Sequence, residues 1–410
     1  MSFIIENGIL KEYISEEKAS SLVIPKEVTK IEESVFENHT EITEVELSEG
    51  IVEIAKNAFR FTGIEKVKIP DSVIYIGENA FLCRKPGLYA WETADCYAEL
   101  KVSKKNKVYY TDGKSLLKHN QDGTDTLVLC FKKGLINYNV PQNVSIISSN
   151  AFCYCTKLQT VSLPDTLIMI CDDAFANTKV GELKVPASVE YLGNNPHRWY
   201  EAGKYRRNEL VKIIPDADNT RFFVENDCLY ERDADGTITL ISFETPKSKT
   251  VAINNETNVI GNYAFRSANI DSIVFPKSVI RIENGAFENC KFKGISIPSG
   301  VKELPAYCFK DCSSLTKVVL PKNLKKIGSE AFNLCTSLKD VNIPDSVRAI
   351  ESRAFRGCSS LTDITVPKNV NEIGWSVFDG CINLTIHTSV DSKAYIYALK
   401  ANIKVEKLSE

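Results

Sequence analysis

The side chains of this chain that offer the widest chemistry are its thiols and imidazoles. The 410 residues include 13 cysteines and four histidines. Cys153, Cys155 and Cys171, with His39 at a related position, have the side-chain types of a zinc site, but no Cys-x-x-Cys pair accompanies them. Six cysteines instead follow a recurring phenylalanine by three positions: Cys155, Cys290, Cys312, Cys335, Cys358 and Cys381. This recurrence predicts buried thiols packed as small apolar groups, rather than a metal site or disulfides.

Signatures of catalysis are missing from the sequence. It contains no Gly-x-Ser-x-Gly elbow, no His-Glu-x-x-His pair, no phosphate loop and no dinucleotide fingerprint. The histidines lie among turns and inserted segments, without regular spacing to a nucleophile: His39, His119, His197 and His387. Asp233 and Asp235 resemble the start of a calcium loop, but its downstream glutamate is missing and a hairpin turn at Asp235-Gly236 accounts for them. We predict no catalytic residue, metal or cofactor; an enzyme or metal-binding protein with a site on the inserts is an alternative.

A repeated phrase must position these side chains. Leu338 to Pro344 reads Leu-x-x-Val-x-Ile-Pro and is matched one repeat later by Leu361 to Pro367. Phenylalanine marks one place in this phrase and recurs at a nearly constant step within unbroken runs: Phe36, Phe59, Phe81, Phe152, Phe175, Phe265, Phe287, Phe309, Phe332, Phe355 and Phe378. The Val-x-Ile alternation predicts a strand that the proline ends, and Ala-Phe predicts a tight helical turn. Stacked units of this kind form a β-rich solenoid.

Two gaps interrupt the phenylalanine series, and the inserted segments resemble each other at one constant offset. Tyr109 to Leu117 aligns with Phe222 to Tyr230, and Asp112-Gly113 is a dipeptide that favours a hairpin turn. We therefore predict one continuous solenoid over 1–410 with hairpin inserts and a helix–strand cap at its C-terminal end. Its parts are an N-terminal cap (1–20), repeats (21–81, 141–197 and 254–384), hairpin inserts (82–140 and 198–253) and a C-terminal cap (385–410).

Composition and charge narrow the class of partner. A formal net charge of −3 and a pI near 6.0 give no general attraction to nucleic acid or anionic membranes. No stretch is long enough to cross a bilayer, and no basic segment precedes a long apolar run at the start. We expect a monomer in the cytoplasm, or at the cell surface or secreted if an export signal has been removed. A body that self-assembles through its ends is the alternative to a monomer.

The motif Leu-x-x-Val-x-Ile-Pro, Val-x-x-Ile-Gly, Ala-Phe-x-x-Cys resembles the BspA-like leucine-rich repeats of bacteria and some protists. The resemblance covers nearly the entire chain and extends to the Tyr-x-x-Asp-Gly-x-x-Leu hairpins and the Ser-Lys-Ala-Tyr segment near the end. It implies a leucine-rich-repeat solenoid used for protein–protein contact, and several relatives are surface adhesins that bind host matrix proteins. The family has no conserved catalytic residues to transfer. We accordingly expect a noncatalytic scaffold for a protein partner, with a cell-surface adhesin as the alternative.

Two surfaces are candidates for that partner. By analogy with such solenoids, the strand before each proline lines one face, and its residues between the core positions are exposed: Gly294, Ser296, Lys317, Val319, Asp340, Asn342, Asp363 and Thr365. The second surface is an aromatic and basic stretch from Pro196 to Arg207 that contains Trp199 and Tyr200. Trp and Tyr are enriched in interfaces, although Trp199 is also expected to pack beneath the second insert, and Trp91 beneath the first.

Overall fold

The computed structural model describes residues 2–14, 19–83, 96–153, 155–193, 200–201, 204–205, 212–243 and 249–408. The chain forms two compact units, residues 1–219 and 220–410. Both units are built from rungs, each of which contributes a first strand before the proline and a second strand after it. Within short sheets of two to six strands, neighbouring first strands pair in parallel with one another, and so do neighbouring second strands, as in a solenoid. The predicted β-rich leucine-rich-repeat fold is confirmed in both units.

In the first unit, the two ladders of rung strands and the flanking hairpins alternate along the chain. The first strands are Ser21–Val23, Glu44–Glu46, Lys66–Ile69, Glu99–Val102, Asn137–Asn139, Thr160–Ser162, Glu182–Val185 and Lys212–Pro215. The second strands are Ile9–Ile14, Lys30–Ile31, Glu53–Ile54, Tyr75–Ile76, Asp125–Cys130, Val144–Ile147, Met169–Ile170 and Tyr191–Leu192. The hairpin strands are Ser2–Glu6, Leu82–Cys83, Cys96–Tyr97, Tyr109–Thr111, Ser115–His119, Tyr200–Glu201 and Lys204–Tyr205.

The second unit repeats this order and ends in a helix and a strand. Its first strands are Thr250–Ala252, Ser272–Val274, Gly294–Ser296, Lys317–Val319, Asp340–Val341, Asp363–Thr365, Thr385–Thr388 and Lys404–Lys407. Its second strands are Ile238–Phe243, Val259–Ile260, Arg281–Ile282, Glu303–Leu304, Lys326–Ile327, Ala349–Ile350 and Glu372–Ile373. Its hairpin strands are Phe222–Glu225 and Cys228–Arg232, and helix α1 spans Lys393–Lys400.

The core of each unit is a stack of the recurring phenylalanines. In the second unit the rings from Phe243 to Phe378 follow one another at centroid distances of 5.0 to 5.5 Å. Planes from Phe265 onward are within 18° of parallel. The rings are fully or almost fully buried, because each rung covers the ring of the rung before it. Offset stacking and burial of large aromatic area together stabilise this arrangement.

The predicted tight turn around each Ala-Phe pair is present, and its backbone bends more sharply than a helical turn. Two positions before each phenylalanine the chain adopts a left-handed conformation: Ser34, Asn57, Asn79, Asn150, Asp173, Tyr263, Gly285, Tyr307, Glu330, Arg353 and Ser376. Gly285 is the one glycine in this set, and an added Cβ would lie only 2.2 Å from Cε1 of Tyr263. A helix cannot pass through a left-handed residue, so the segment turns back at once and presents the ring to the core.

The hairpins are continuous with the ladder of second strands. Ser115–His119 pairs antiparallel with Asp125–Cys130, which then pairs in parallel with Val144–Ile147. Cys228–Arg232, Ile238–Phe243 and the next second strand repeat this order in the second unit. The last strand of each of these two hairpins therefore occupies the place of a second strand. This confirms the duplicated hairpins, while their predicted boundaries remain predictions.

The C-terminal cap has the predicted helix and strand. Ser392 begins α1, and its hydroxyl oxygen accepts a hydrogen bond from the Tyr395 backbone N–H at 3.0 Å. Ala394 and Ala398 face the core. The following strand, Lys404–Lys407, pairs in parallel with Thr385–Thr388 and so extends the ladder of first strands. The cap thus covers the last rung, and its strand continues the alternation of the first strands.

Candidate functional site

The exposed side of the first strands in the second unit forms the surface we call the strand face. It comprises the eight positions predicted from sequence, and all of them are exposed: Gly294, Ser296, Lys317, Val319, Asp340, Asn342, Asp363 and Thr365. The residues between them, such as Ile295 and Val318, are buried. Parallel pairing brings equivalent positions side by side, so Lys317 lies between Gly294 and Asp340. The strand face is thus a set of rows that run across the rungs.

Acidic and basic side chains of the strand face pair between neighbouring rungs. Nζ of Lys317 lies 2.6 Å from Oδ2 of Asp340. Nε2 of His387 lies 3.0 Å from Oδ1 of Asp363, and this hydrogen bond is the main reason that the pKa of Asp363 is lowered. Lys317 and Asp340 are 60% and 59% exposed, so water competes with their pairing. A partner could therefore break this ion pair and form its own with Lys317 or Asp340 at a small loss of free energy.

The C-terminal cap adds a polar cluster to the strand face that the sequence analysis did not identify. His387 faces Asp363 on one side, and on the other its Nδ1 lies 3.5 Å from Oε2 of Glu406. Glu406 also receives Nζ of Lys404 at 2.8 Å, which lowers its pKa. His387 lies on the strand Thr385–Thr388 and not in a turn as predicted, and its two partners could not be recognised because both are distant from it along the chain. The alternation Lys404-x-Glu406 was the available signal, since it matches an exposed first strand.

The recurring cysteines form a ladder of thiols inside the second unit. Each thiol donates to the carbonyl oxygen of the phenylalanine in the preceding rung, at 2.9 to 3.2 Å, from Cys290, Cys312, Cys335, Cys358 and Cys381. Burial raises the pKa of the Cys312 and Cys335 thiols above the ordinary value, whereas a hydrogen bond with Cys358 lowers the pKa of the Cys381 thiol. The cysteines whose side chains the structure describes form no disulfide. A protonated thiol that donates to a carbonyl has a structural role and is a poor nucleophile.

The three cysteines considered as an alternative zinc site do not assemble one with His39 in the described part of the chain. Cys153 is buried, whereas Cys155 and Cys171 are half-buried, and His39 Nδ1 instead lies 2.9 Å from Oε1 of Glu41. Across the described ranges, no group of three or more His, Cys, Asp or Glu side chains is arranged to hold a metal ion. At the predicted hairpin turn, Asp235 accepts a hydrogen bond from the Thr237 backbone N–H at 2.9 Å, as a turn residue does.

The hairpin of the first unit carries a polar cluster, and other side chains take its place in the duplicated hairpin of the second unit. The carboxylate of Asp125 is 4% exposed and accepts the Tyr110 hydroxyl at 2.6 Å, while its other oxygen lies 2.8 Å from Nδ1 of His119. The ring of His119 stacks on Tyr110 at 4.6 Å. At the equivalent places in the second unit, Phe223 and Arg232 make a cation–π contact of 5.5 Å. In the described part of the chain, no serine hydroxyl or cysteine thiol lies within hydrogen-bond distance of the His119 imidazole. The hydrogen bonds of the cluster therefore stabilise the hairpin.

The second predicted surface falls largely outside the described residues. Trp199 is not among the described residues, nor is Trp91, and the side chain of Tyr200 is not described either. The backbone of Tyr200 pairs antiparallel with Tyr205 in a two-stranded ribbon, Tyr200–Glu201 with Lys204–Tyr205. The assignment of Trp199 and Tyr200 to a partner surface remains a prediction.

A family model gives the repeats their identity. The BspA type leucine-rich repeat region matches residues 9–87, 129–200 and 237–350 in six copies, which is more than half of the chain. The chain belongs to the BspA-type leucine-rich-repeat family. The resemblance seen in the repeated motif is thereby confirmed. This family of repeat proteins suggests a protein-interaction scaffold and is in general not enzymatic.

Solved structures of bacterial leucine-rich-repeat proteins are similar to this BspA-type chain. A leucine-rich cell surface protein from Faecalibacterium prausnitzii is 25% identical, with a TM-score of 0.54, and the match covers 97% of this chain and 94% of that one. A leucine-rich repeat protein from Bacteroides ovatus is 22% identical, with a TM-score of 0.45 and coverage of 96% and 84%. One from Eubacterium ventriosum is 20% identical, with a TM-score of 0.48 and coverage of 83% for both chains. No curated protein sequence is significantly similar to this BspA-type chain.

Helices long and apolar enough to cross a membrane do not occur in the described part of this BspA-type chain.

Proposed function

We propose that the protein is a noncatalytic scaffold that binds a protein partner through the strand face. The observation that carries this proposal is the exposure of every alternate first-strand position across four consecutive rungs, from Gly294 to Thr365. Counterpart side chains of paired strands lie about 4.8 Å apart. The strand face therefore presents closely spaced, rigidly held side chains over a shallow surface, which suits a protein better than a small molecule.

The chemistry of the strand face also suits a protein partner. Val319 is 48% exposed and supplies an apolar contact beside the Lys317–Asp340 pair. Exposed ion pairs contribute about 0.2–1 kcal/mol each. A partner that offers its own charges can replace such a pair with an interfacial one, and complementary charge then sets specificity and association rate.

Charge reversal on the strand face tests the proposal. Intact protein with Asp340→Arg and Asp363→Arg should lose specific partners that the wild type captures from lysate or from host extracellular material. The matched control reverses Asp345 and Asp379, which are also exposed but lie in the turns that follow the strands. Circular dichroism should show the same fold for both variants. Capture that survives reversal of the strand face, or that the control abolishes equally, would remove the strand face as the binding surface.

A surface adhesin that binds host matrix proteins is a second candidate, and it bears on location as well as function. It is favoured by the similarity to the leucine-rich cell surface protein of Faecalibacterium prausnitzii, which extends over almost the full length of both chains. This similarity favours the cell surface over the cytoplasm. Labelling of intact cells of the source organism with a membrane-impermeant reagent tests it. Labelling only after cell lysis would reject the surface location, and no binding to immobilised matrix proteins would reject the adhesin role.

A further inference from the structure

A row of basic side chains runs across three rungs of the second unit, where each residue immediately precedes a second strand. Lys302, Lys325 and Arg348 form this basic row, and all three are exposed. The Lys325 backbone N–H donates to the Lys302 carbonyl at 2.7 Å, and the Arg348 backbone N–H donates to the Lys325 carbonyl at 2.8 Å. The three residues are therefore direct neighbours in the ladder, and one rung follows the next at about 4.8 Å.

Carboxylates do not neutralise the basic row. In the described part of the chain, none of its three side chains forms an ion pair. Nη1 of Arg348 instead donates to the backbone carbonyl of Asp345 at 2.8 Å. Like charges at directly opposite positions of neighbouring strands destabilise a sheet. The basic row therefore destabilises its ladder unless an anion binds to it.

The column of side chains next to the basic row balances its own charges. Each member follows a row position by one residue, and the column contains Glu303, Lys326 and Glu372. Nζ of Lys326 lies 2.6 Å from Oε1 of Glu351, and this hydrogen bond is the main reason that the pKa of Lys326 is raised. The charges of Glu303 and Glu372 raise it further. These carboxylates thus interact with the cation of their own column.

The turns that precede the second strands add to the positive charge. Lys322 lies three residues before the middle residue of the basic row and is exposed, and the turns of other rungs contribute Lys277 and Lys368. Lys368 is near the carboxylate of Asp391, whose pKa it helps to lower. Among the turn and row positions from residue 277 to residue 371, all of which the structure describes, Asp345 is the one carboxylate. This surface therefore has a large excess of cations.

The equivalent positions of the first unit have the opposite charge. Its turns before the second strands, and the residues just before those strands, carry one cation, Lys26, and five carboxylates: Glu27, Glu49, Asp71, Asp165 and Glu190. The fold of a rung thus does not require basic residues at these positions. The excess of positive charge is a property of the second unit.

The basic row is limited at both ends. Ile280 takes its position in the preceding rung, and Asn371 takes it in the following rung. Asn371 also lines a groove of about 720 Å³ beside α1. That groove carries charges of both signs, from Glu351, Glu372, Lys393 and Lys400. The excess of positive charge therefore does not continue into the groove.

The side chains around the basic row favour a linear polyanion over a protein. Among the turn and row positions from residue 277 to residue 371 there is no aromatic side chain, and Ile280 is the one large apolar side chain that is exposed. Protein interfaces use aromatic and apolar anchors, and single-stranded nucleic acid is held by bases that stack on aromatic rings. A sulfated polysaccharide needs neither, because its sulfates accept charge-assisted hydrogen bonds from ammonium and guanidinium groups.

We propose that the basic row binds a linear sulfated polysaccharide. Its chain runs across the rungs and places sulfate groups on Lys302, Lys325 and Arg348, while Lys322 supplies a further ammonium group beside the row. Each contact between exposed charges is weak, so the affinity comes from several contacts together and decreases as salt screens them. The site lies beside the second strands and does not depend on the strand face.

The probe is a fluorescently labelled heparin decasaccharide, which is titrated with the full chain and followed by fluorescence anisotropy. Saturable binding is expected at low salt, and the affinity should decrease as NaCl is raised. Unlabelled heparin should compete with the probe. Fully desulfated heparin, which keeps its carboxylates, should compete poorly.

Variants of the protein complete the test. Neutralisation of the row by Lys302→Gln, Lys325→Gln and Arg348→Gln should lower the affinity about tenfold, because three weak charge contacts are lost together. The matched control neutralises three exposed lysines on the side of the first strands: Lys293→Gln, Lys339→Gln and Lys407→Gln. Both triple variants lower the formal net charge of −3 by the same amount, so the control should bind like the wild type. Circular dichroism should show the same fold for all three proteins.

Several results would overturn the proposal. The absence of saturable heparin binding is one, and an equal loss of affinity in the two triple variants is another, since it would indicate attraction without a site. Equal competition by desulfated heparin would show that sulfate is not recognised. Tighter binding of a single-stranded oligonucleotide or of polyglutamate, lost only in the row variant, would assign the basic row to another class of polyanion.

Discussion

The guanidinium carbon of Arg353 lies 3.9 Å from the ring centroid of Trp375, which occupies the equivalent turn of the next rung. Its Nη1 is also 3.5 Å from Oε1 of Glu330, whose other oxygen receives Nζ of Lys310 at 2.7 Å. Cations and anions therefore alternate across the rungs of this flank and end at an indole that is 57% exposed. One carboxylate, Glu330, joins two cations and so holds three rungs together.

Loss of the Glu330 charge should destabilise the second unit more than loss of an exposed carboxylate. Glu330→Gln leaves Lys310 and Arg353 without their shared partner, and hydrogen bonds to charged groups are worth about 1.5–3 kcal/mol. We expect a decrease of about 2 kcal/mol in the free energy of unfolding at pH 7, measured by urea denaturation. Glu303→Gln, on an exposed side chain, is the control and should change it by less than about 0.5 kcal/mol. Equal effects of the two changes would contradict the bridging role.

Truncation of a stacked ring should cost far more than truncation of a surface residue. Phe332 is fully buried between Phe309 and Phe355. Phe332→Ala removes both ring contacts and leaves a cavity, so a loss of about 3–5 kcal/mol is expected in urea denaturation. Ile382→Ala, at a side chain that is 79% exposed, should cost under about 0.5 kcal/mol. A loss below about 1 kcal/mol for Phe332→Ala would show that the rungs collapse around the gap.

Thiol reactivity should separate the cysteine ladder from the half-buried cysteines. Among the described side chains, Cys155 and Cys171 are half-buried, whereas Cys312, Cys335 and Cys358 are buried. Burial also raises the pKa of Cys171, and only the thiolate reacts. Iodoacetamide followed by peptide mass spectrometry should modify Cys155 and Cys171 in the native protein, and Cys171 faster as pH rises from 8 to 9.5. Labelling of the ladder cysteines at the same rate would contradict their packing, and labelling in urea supplies the control for total reactivity.

The Asp125 cluster should make the first hairpin sensitive to acid. Burial, the largest single influence, raises the pKa of Asp125, but hydrogen bonds from Tyr110, Asn143 and His119 together outweigh it and lower the pKa. A lowered folded pKa means that the carboxylate stabilises the fold above its ordinary value of 3.8 and that this contribution is lost as pH falls through the folded value. Asp125→Asn should therefore destabilise the protein at pH 7 by about 1–3 kcal/mol.

The same difference should shrink when unfolding is measured below pH 4, because the wild-type carboxyl is then increasingly protonated as well. Asp165→Asn, at an exposed turn residue in a later rung of the first unit, is the matched control for the loss of one carboxylate charge. A constant difference between wild type and Asp125→Asn from pH 7 to pH 3 would show that the carboxylate charge is not what the cluster uses.

The repeat could be predicted from sequence because each rung imposes the same demands on the same positions. Phe332 and Phe355 recur since both must fill one place in a stack, and the two hairpin segments match at a constant offset since both begin a ladder. Exposure of Asp340 and Asp363 followed from the two-residue period of a strand. These features depend on backbone geometry and apolar pattern alone.

The groove between α1 and the second strands, and the ion pair between Lys317 and Asp340, could not be predicted in this way. Whether Lys317 reaches Asp340 depends on side-chain rotamers at the surface, which the repeat does not specify. The groove beside α1 exists because Ala394 and Ala398 pack against the core, which leaves Lys393 and Lys400 on the lining of the groove. The position of α1 on the core depends on tertiary packing, and the sequence of this short helix does not predict it.

The parallel register of the rungs has a consequence for how the chain folds. Bonded neighbours such as Ile327 and Ile350 are one repeat apart at nearly every step, so each added rung closes a loop of the same modest length. The antiparallel hairpins close much shorter loops, as between Ser115–His119 and Asp125–Cys130. Each unit thus contains a short-loop hairpin from which pairing can spread rung by rung, and the duplication supplies the second unit with a starting point of its own.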